Sequence, residues 1–242
     1  MSDMIDLHSH FLPGIDDGAQ TMDEALALAR KALDDGIVAT VMTPHVHDGR
    51  YENKHSSTRA HFEAYQQALR EAGIDLKVYL GAEVRISPDV LDWVDDGEIP
   101  FLGQVNGWRV MLLELPHSTI PVGTDRLIDK LVSKSIRPLI AHPERNKAIM
   151  DDPLRAEALV DAGCWLQVTG GSVVGQFGQR AQEVALGLLE DALVHVVASD
   201  AHNLTHRPPI LSTAYRAIEQ RWGKPAAHEV LTKHPAKILG LA

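Results

Sequence analysis

The chain has 242 residues, 45% hydrophobic and 23% charged, a balance that excludes the disordered, collagenous and membrane-embedded classes and is expected to give one domain over 1–242. Lys and Arg total 23 against 33 Asp and Glu, a net charge of -10, which disfavours nucleic acid and anionic membrane surfaces as partners. Cys164 is the single cysteine and allows no internal disulfide, and the start of the chain has neither a basic n-region nor an apolar h-region, so the expected compartment is cytoplasmic, without membrane insertion.

In chain order, short β-rich runs alternate with helical patterns. A run at 4–7 precedes a helix over 21–34, whose Ala25, Leu28, Ala29 and Ala32 share one face and which Asp35-Gly36 terminates. The run 37–42 precedes a helix over 58–72, and 77–80 precedes 88–95. Next come 109–113 before 124–135, 136–141 before 153–162, 164–168 before 179–191, and 194–198 before 210–222. Seven strands alternating with seven helices imply parallel pairing, either as an open doubly wound sheet or as a barrel.

The strand ends decide between them. The first run leads into Asp6-Leu7-His8-Ser9-His10 and then Asp16-Asp17-Gly18, the second into Thr43-Pro44-His45-Val46-His47, and the third into Gly81-Ala82-Glu83. Glu114 ends the fourth, His142-Pro143-Glu144-Arg145 the fifth, Gln167 and Thr169 the sixth, and Ser199-Asp200-Ala201-His202 the seventh. A doubly wound sheet gathers ligands at one switch point, whereas a barrel brings every strand C-terminus to one mouth. An α/β barrel therefore fits better.

Residues i and i+2 of an extended segment point to the same side, so His8 and His10 can face one ion, as can Asp200 and His202. The candidate metal ligands are His8, His10, Asp17, His45, Glu83, Glu114, His142, Asp200 and His202. Nine ligands exceed one tetrahedral zinc site and suit two or three ions that share carboxylates. Four carboxylates against three divalent ions leave about +2 in the mouth, a charge that attracts a phosphate dianion. Asp6 is either an orienter of His8 from the same face or a polar residue at a strand start, and Asp16 either caps a turn or binds metal. Arg145 and Arg207 are candidate bidentate phosphate forks, with ordinary salt bridges as the alternative. Of the histidines outside the set, His47 and His117 stand nearest this chemistry.

These segments, with Arg207-Pro208-Pro209, resemble the polymerase and histidinol phosphatase (PHP) superfamily. Within it they are most similar to the bacterial manganese-dependent protein tyrosine phosphatases of capsule and exopolysaccharide loci, over 4–241. The resemblance implies a distorted (β/α)7 TIM-like barrel and a trinuclear site. His8, His10, Glu83 and Asp200 would hold one ion, Glu83, Glu114 and His142 a second, and Asp17, His45 and His202 a third, with Arg145 and Arg207 on the substrate phosphate. It also implies Mn2+ in two or three copies, with Fe, Co or Zn as alternatives that an imidazole and carboxylate set permits. The implied partner is a phosphotyrosine-bearing protein, the tail of a bacterial tyrosine kinase that governs polysaccharide export, and the chain is compatible with an oligomer. Residues 46–53 and 106–124 depart from the pattern, which leaves the tyrosine-recognising surface undefined.

The expected mechanism has a hydroxide bridging two ions attack phosphorus in line, so that no side-chain nucleophile is required. A small-molecule phosphatase of the histidinol-phosphate type would share the metals and differ in the pocket. A PHP exonuclease conflicts with the net charge, and an inactive metal-binding module with the complete ligand set. A cysteine-based mechanism fails because Gly170, not arginine, stands six positions after Cys164, which reads instead as a buried apolar residue.

Overall fold

The computed structural model describes residues 3–241. Strand β1 (Met4–Ser9) is buried along its whole length, as a parallel strand covered on both faces must be. The helix Met22–Asp35 that follows is capped by Thr21, whose side chain accepts from Glu24 N, and closed by Gly36 at φ 94°. It buries Ala25, Leu28, Ala29 and Ala32, the four positions expected from spacing. Strand β2 (Ile37–Met42) pairs in parallel with β1 and with β5 (Lys77–Leu80). Strands β3 (His45–His47) and β4 (Tyr51–Glu52) form an antiparallel hairpin, and β3 also pairs with β6 (Glu83–Arg85). Strand β7 (Gly103–Val105) is antiparallel to β8 (Trp108–Glu114). Strands β9 (Ile136–Ala141), β10 (Trp165–Thr169) and β11 (Val196–Ala198) extend the parallel order from β8.

Segments β2 and β3 are successive parts of one path around Thr43-Pro44, and β5 and β6 are parts of another around Gly81-Ala82. Gly81 N donates to Met42 O at 2.8 Å and Glu83 N to Pro44 O at 3.2 Å, so the breaks are bridged. At the other seam β11 meets β1 through the single bridge Ser9–Ala201. His10 N donates there to Ala201 O at 2.9 Å and Asp200 N to His8 O at 2.9 Å. Seven strand positions thus follow one another around a distorted barrel whose ladder is not closed continuously.

Apolar residues pack in two shells. The inner shell holds Ile5, Leu7, Ala39, Val41, Val110, Leu112, Leu139, Ala141, Val196 and Ala198, at the two-residue spacing of strand faces. The outer shell, between strands and helices, includes Met42, Met111, Leu113, Ile140, Val168 and Val197. The helix His234–Leu239 closes the barrel floor, and its Ile238 joins the inner shell. A Cβ at Gly103 would collide with the Ile238 carbonyl, so that approach requires glycine. Beside it the Arg137 guanidinium lies 4.4 Å from the Trp108 ring centroid and 5.6 Å from that of Trp165.

Strands β2, β5 and β9 have the bounds expected from sequence, and the other four expected strands differ by at most two residues at either end, β11 being the shorter remnant of the run 194–198. Strands β3, β4, β6 and β7, of two or three residues each, and the helical tail beyond Gly223 went unforeseen. Segments that short complete too little of a period to be read. No helix among the described residues is long and apolar enough to cross a membrane.

Candidate metal centre

At the C-terminal end of the barrel the strands deliver a buried cluster of imidazoles and carboxylates. Glu83, at the start of β6, is its centre. Its Oε2 lies 3.1 Å from His8 Nε2, 3.3 Å from His10 Nε2 and 3.0 Å from His45 Nδ1. Its Oε1 is 2.8 Å from His142 Nε2. Asp200 Oδ1 lies 3.3 Å from His8 Nε2 and 3.5 Å from His10 Nε2. Asp17 Oδ1 is 3.3 Å from both His45 Nε2 and His202 Nε2. Glu114 Oε2 stands 4.0 Å from His45 Nδ1, and its Oε1 holds Arg85 at 2.9 Å.

Three sets have donor atoms all within 4.8 Å of one another: His8, His10, Glu83 and Asp200; His10, Asp17, His45 and His202; and His45, Glu83 and Glu114. The first coincides with the grouping expected for one ion. The second adds His10 to the grouping expected for another. In the third His45 stands where His142 was expected, while His142 keeps its contact with Glu83 Oε1. All nine sequence-derived candidates meet at this mouth.

The backbone aims these side chains by irregular means. The β1–β2 ladder slips by one residue, with Asp6 opposite Thr40 and Ser9 opposite Met42. Such a slip re-aims the side chains beyond it, and it corrects the expectation that Asp6 shares a face with His8. Asp6 instead accepts from Ser199 N at 2.9 Å, Ser199 Oγ at 2.5 Å and His8 N at 3.3 Å. It clasps the strand-end loop and does not touch the His8 ring. His142 (φ 37°) and Asp200 (φ 54°) follow β9 and β11 in the left-handed region, a conformation that costs on the order of 1–3 kcal/mol for a non-glycine residue. A Cβ at Gly18 would strike the His10 carbonyl, which explains the glycine after Asp16-Asp17.

Hydrogen bonds then set the ring faces. His8 Nδ1 lies 2.8 Å from Gln167 Oε1, His10 Nδ1 2.8 Å from Asp16 Oδ2, and His202 Nδ1 3.0 Å from Asp200 O. An Nδ1–H donated outward leaves the Nε2 lone pair facing the cluster, as metal-binding histidines require. The Nε2 atoms of His8 and His10 are only 3.2 Å apart. Glu83 Oε2, Asp200 Oδ1 and His202 Nε2 are buried without a hydrogen-bond partner of sound geometry. Imidazole nitrogens and carboxylate oxygens that converge this closely are a donor set suited to divalent cations.

The neighbouring groups keep the two central carboxylates ionised. Burial opposes the charge of Glu83, yet His8 and His45 hold it well below the usual carboxylate range. Burial likewise opposes the Asp200 charge, and Arg145 and His8 outweigh it. Burial disfavours a charged His45, but the Glu83 and Asp17 carboxylates beside its two ring nitrogens raise it to about 10. His142 and His202 are each lowered to about 4, first by burial and then by the positive charge of Arg145 and His10 respectively.

Arg145 and Arg207 converge on Asp200 Oδ2, Arg145 at 2.5 Å. Their Nε atoms are buried without partners. Both line a cavity of about 410 Å³ above the cluster, together with His47 and His117. Sequence reasoning left Asp16 open and gave Gln167 no role; they orient His10 and His8. It passed over Arg85, Tyr51 and Phe177, which line the cavity from short or irregular segments. Glu144 turns away, accepting from Thr169 N and Ser172 Oγ. Cys164 is buried, its thiol pushed up to about 12 by that burial.

A family model described as capsular polysaccharide synthesis, CpsB/CapC, matches residues 4–240. Tyrosine-protein phosphatase YwqE of Bacillus subtilis is 35% identical over 220 residues, 91% of this chain and 85% of that protein. Tyrosine-protein phosphatase CpsB of Streptococcus pneumoniae is 33% identical over 241 residues, 98% of each chain. Crystallography of those two proteins describes them as metal-dependent tyrosine phosphatases; this chain matches that structure with a TM-score of 0.91 at 33% identity, covering 98% and 95% of the two chains. An organophosphorus hydrolase from Deinococcus radiodurans shares the fold alone, with a TM-score of 0.61 at 14% identity over 98% of this chain and 93% of that one. The chain belongs to the CpsB/CapC family of capsular polysaccharide synthesis.

Proposed function

We propose that this protein is a metal-dependent protein tyrosine phosphatase, a phosphoric monoester hydrolase whose nine mouth residues hold two or three divalent ions, manganese first among them. The observation that carries the reading is the convergence of unpartnered Glu83, Asp200 and His202 donor atoms beneath a cleft rimmed by two arginines. Divalent ions held there supply Lewis-acid charge to phosphoryl oxygens and a water acidic enough to act as nucleophile at neutral pH.

The chain's own residues do the rest. Arg145 and Arg207 present planar forks suited to two phosphate oxygens, and their charge opposes the negative charge that builds up in the transition state. Asp200 holds both forks at one oxygen, so they are positioned before substrate arrives. Gln167 and Asp16 keep the His8 and His10 rings from turning. The leaving phenolate has a reference pKa of about 10, so its departure needs only modest protonation, for which His47 and His117 stand in the cleft.

The substrate we assign is a phosphotyrosine-bearing protein, the tail of a bacterial tyrosine kinase in polysaccharide export, met in the cytoplasm by a single domain over 1–242. Manganese-loaded protein should turn over phosphotyrosyl peptides faster than histidinol phosphate. Equal or faster turnover of histidinol phosphate would transfer the assignment to a small-molecule phosphatase.

A further inference from the structure

Two aromatic side chains stand in the cleft without belonging to the ion cluster or to the phosphate forks. Tyr51 and Phe177 line the same cavity of about 410 Å³ as Glu83 and Arg145. Tyr51 lies in β4, paired with His47 across the hairpin. Its ring is nearly parallel to that of His45, with centroids 5.6 Å apart at 15°. The Arg50 guanidinium is 4.9 Å from its centroid. Asn53 Nδ2 ties the hairpin down, donating to Ile15 O at 2.8 Å and His45 O at 3.1 Å.

Phe177 arrives from the other side. It follows the short helix Gly170–Val173, which Glu144 anchors by accepting from Ser172 Oγ at 2.7 Å and Thr169 N at 3.0 Å. The Phe177 ring packs so closely on Gly171 that a Cβ there would lie 2.9 Å from it. Arg145 lies 4.7 Å over its centroid. Around the barrel, the hairpin at β2–β3 and the loop after β10 are three positions apart through β1 and β11. Seven strands allow no greater separation. The segments that carry the two rings therefore leave the barrel at strand positions on opposite sides of the mouth, and both rings, each only partly buried, line the one cavity.

We infer that Tyr51 and Phe177 form an aryl clamp that makes the cleft select phenyl phosphates over alkyl phosphates, an inference that rests on the phosphatase reading above. Cations and guanidinium forks grip the phosphoryl group common to every phosphate monoester, so they do not distinguish phosphotyrosine from phosphoserine. Discrimination in binding, as distinct from leaving-group chemistry, has to come from what meets the carbon skeleton, and aromatic pairs in offset or edge-to-face contact supply it. A phenyl ring extends farther from phosphorus than a serine methylene does. It can reach walls that an alkyl ester leaves untouched.

The test measures binding of phenylphosphonate and methylphosphonate to the metal-loaded protein by calorimetry, with no leaving group to confuse the comparison. In Tyr51→Ala and in Phe177→Ala, affinity for phenylphosphonate should fall about 2- to 10-fold more than affinity for methylphosphonate. Tyr51→Phe, which keeps the ring, should retain the parent's preference. Equal losses for both phosphonates, or no loss for either, would overturn the clamp. A parent protein that prefers phenylphosphonate yet leaves phosphotyrosyl peptides intact would remove the proposed function while supporting the clamp.

Discussion

The two ends of the barrel use the same strands for opposite purposes. At the floor, Ile238 plugs an apolar interior and Arg137 is stacked on Trp108 and Trp165. At the mouth, Arg145 and Arg207 share one oxygen of Asp200, beside carboxylates whose other lone pairs have no partner. The backbone differs as well: β2, β8 and β9 alternate regularly through the interior, while His142 and Asp200 turn into the left-handed region at the strand ends. The floor is closed by apolar packing and cation–π contact, with Arg137 Nε left without a partner, whereas the mouth concentrates buried unpartnered donor atoms on Glu83, Asp200, His202, Arg145 and Arg207. Strain and buried charge at the mouth persist because the apolar interior below over-determines the fold.

If that division is right, substitutions at the mouth alter chemistry and substitutions at the floor alter stability. Glu83→Gln keeps the shape of the central carboxylate but removes its charge. It should lower bound metal and cut aryl phosphate hydrolysis at least about 10³-fold, beyond the 10- to 100-fold typical of residues that only support a ligand. Elemental analysis beside a kinetic assay checks both. Ile238→Ala should destabilise the protein by about 3 kcal/mol, the order seen for buried aliphatic truncation, with kcat per folded molecule unchanged. A large fall in kcat from this floor variant would break the comparison.

Arg145→Ala and Arg207→Ala should each retain metal and lose about 2 kcal/mol of transition-state stabilisation, the scale of a hydrogen bond to a charged group. Parent-like rates in both would remove the phosphate forks from the account. The smallest effect concerns His195 at the floor. Burial first, then the charges of His234 and Arg137, lower it from 6.5 to about 4. Between those pH values the unfolded chain takes up a proton that the folded protein refuses. The contribution of His195 is therefore complete above about 6.5 and lost as pH falls towards 4. His195→Gln should flatten the fall of Tm with acidification over that window, and an unchanged slope would show that His195 is not responsible.

Much of this division was legible in the chain. Short runs rich in β-branched and apolar residues between turn signals read as strands whether almost fully buried, as in β2, or partly exposed, as in β5, which is why 37–42, 77–80 and 136–141 emerge with the observed bounds of β2, β5 and β9. Strand C-termini share a mouth in any barrel, so His8, Glu83, His142 and Asp200 could be brought together before their distances were known. Two-residue periodicity failed where the ladder slips. One of the two readings of Asp6, as an orienter of His8, rested on alternation that runs across a register shift between Asp6 and Ser9. The orienting roles of Gln167 and Asp16 depend on contacts 159 and 6 residues apart in sequence. The longer of these leaves no local pattern. Tyr51 and Phe177 lie on a two-residue strand and an irregular loop, where side-chain direction follows from tertiary anchoring and not from period.

The central claim is that the mouth is a cation site on which phosphotyrosine hydrolysis depends. It is tested most directly by stripping the protein with a chelator, confirming by elemental analysis that no ion remains, and assaying a phosphotyrosyl peptide before and after manganese is restored. The account predicts that hydrolysis disappears with the ions and returns with them in the same folded protein. Undiminished hydrolysis by protein free of metal would contradict it.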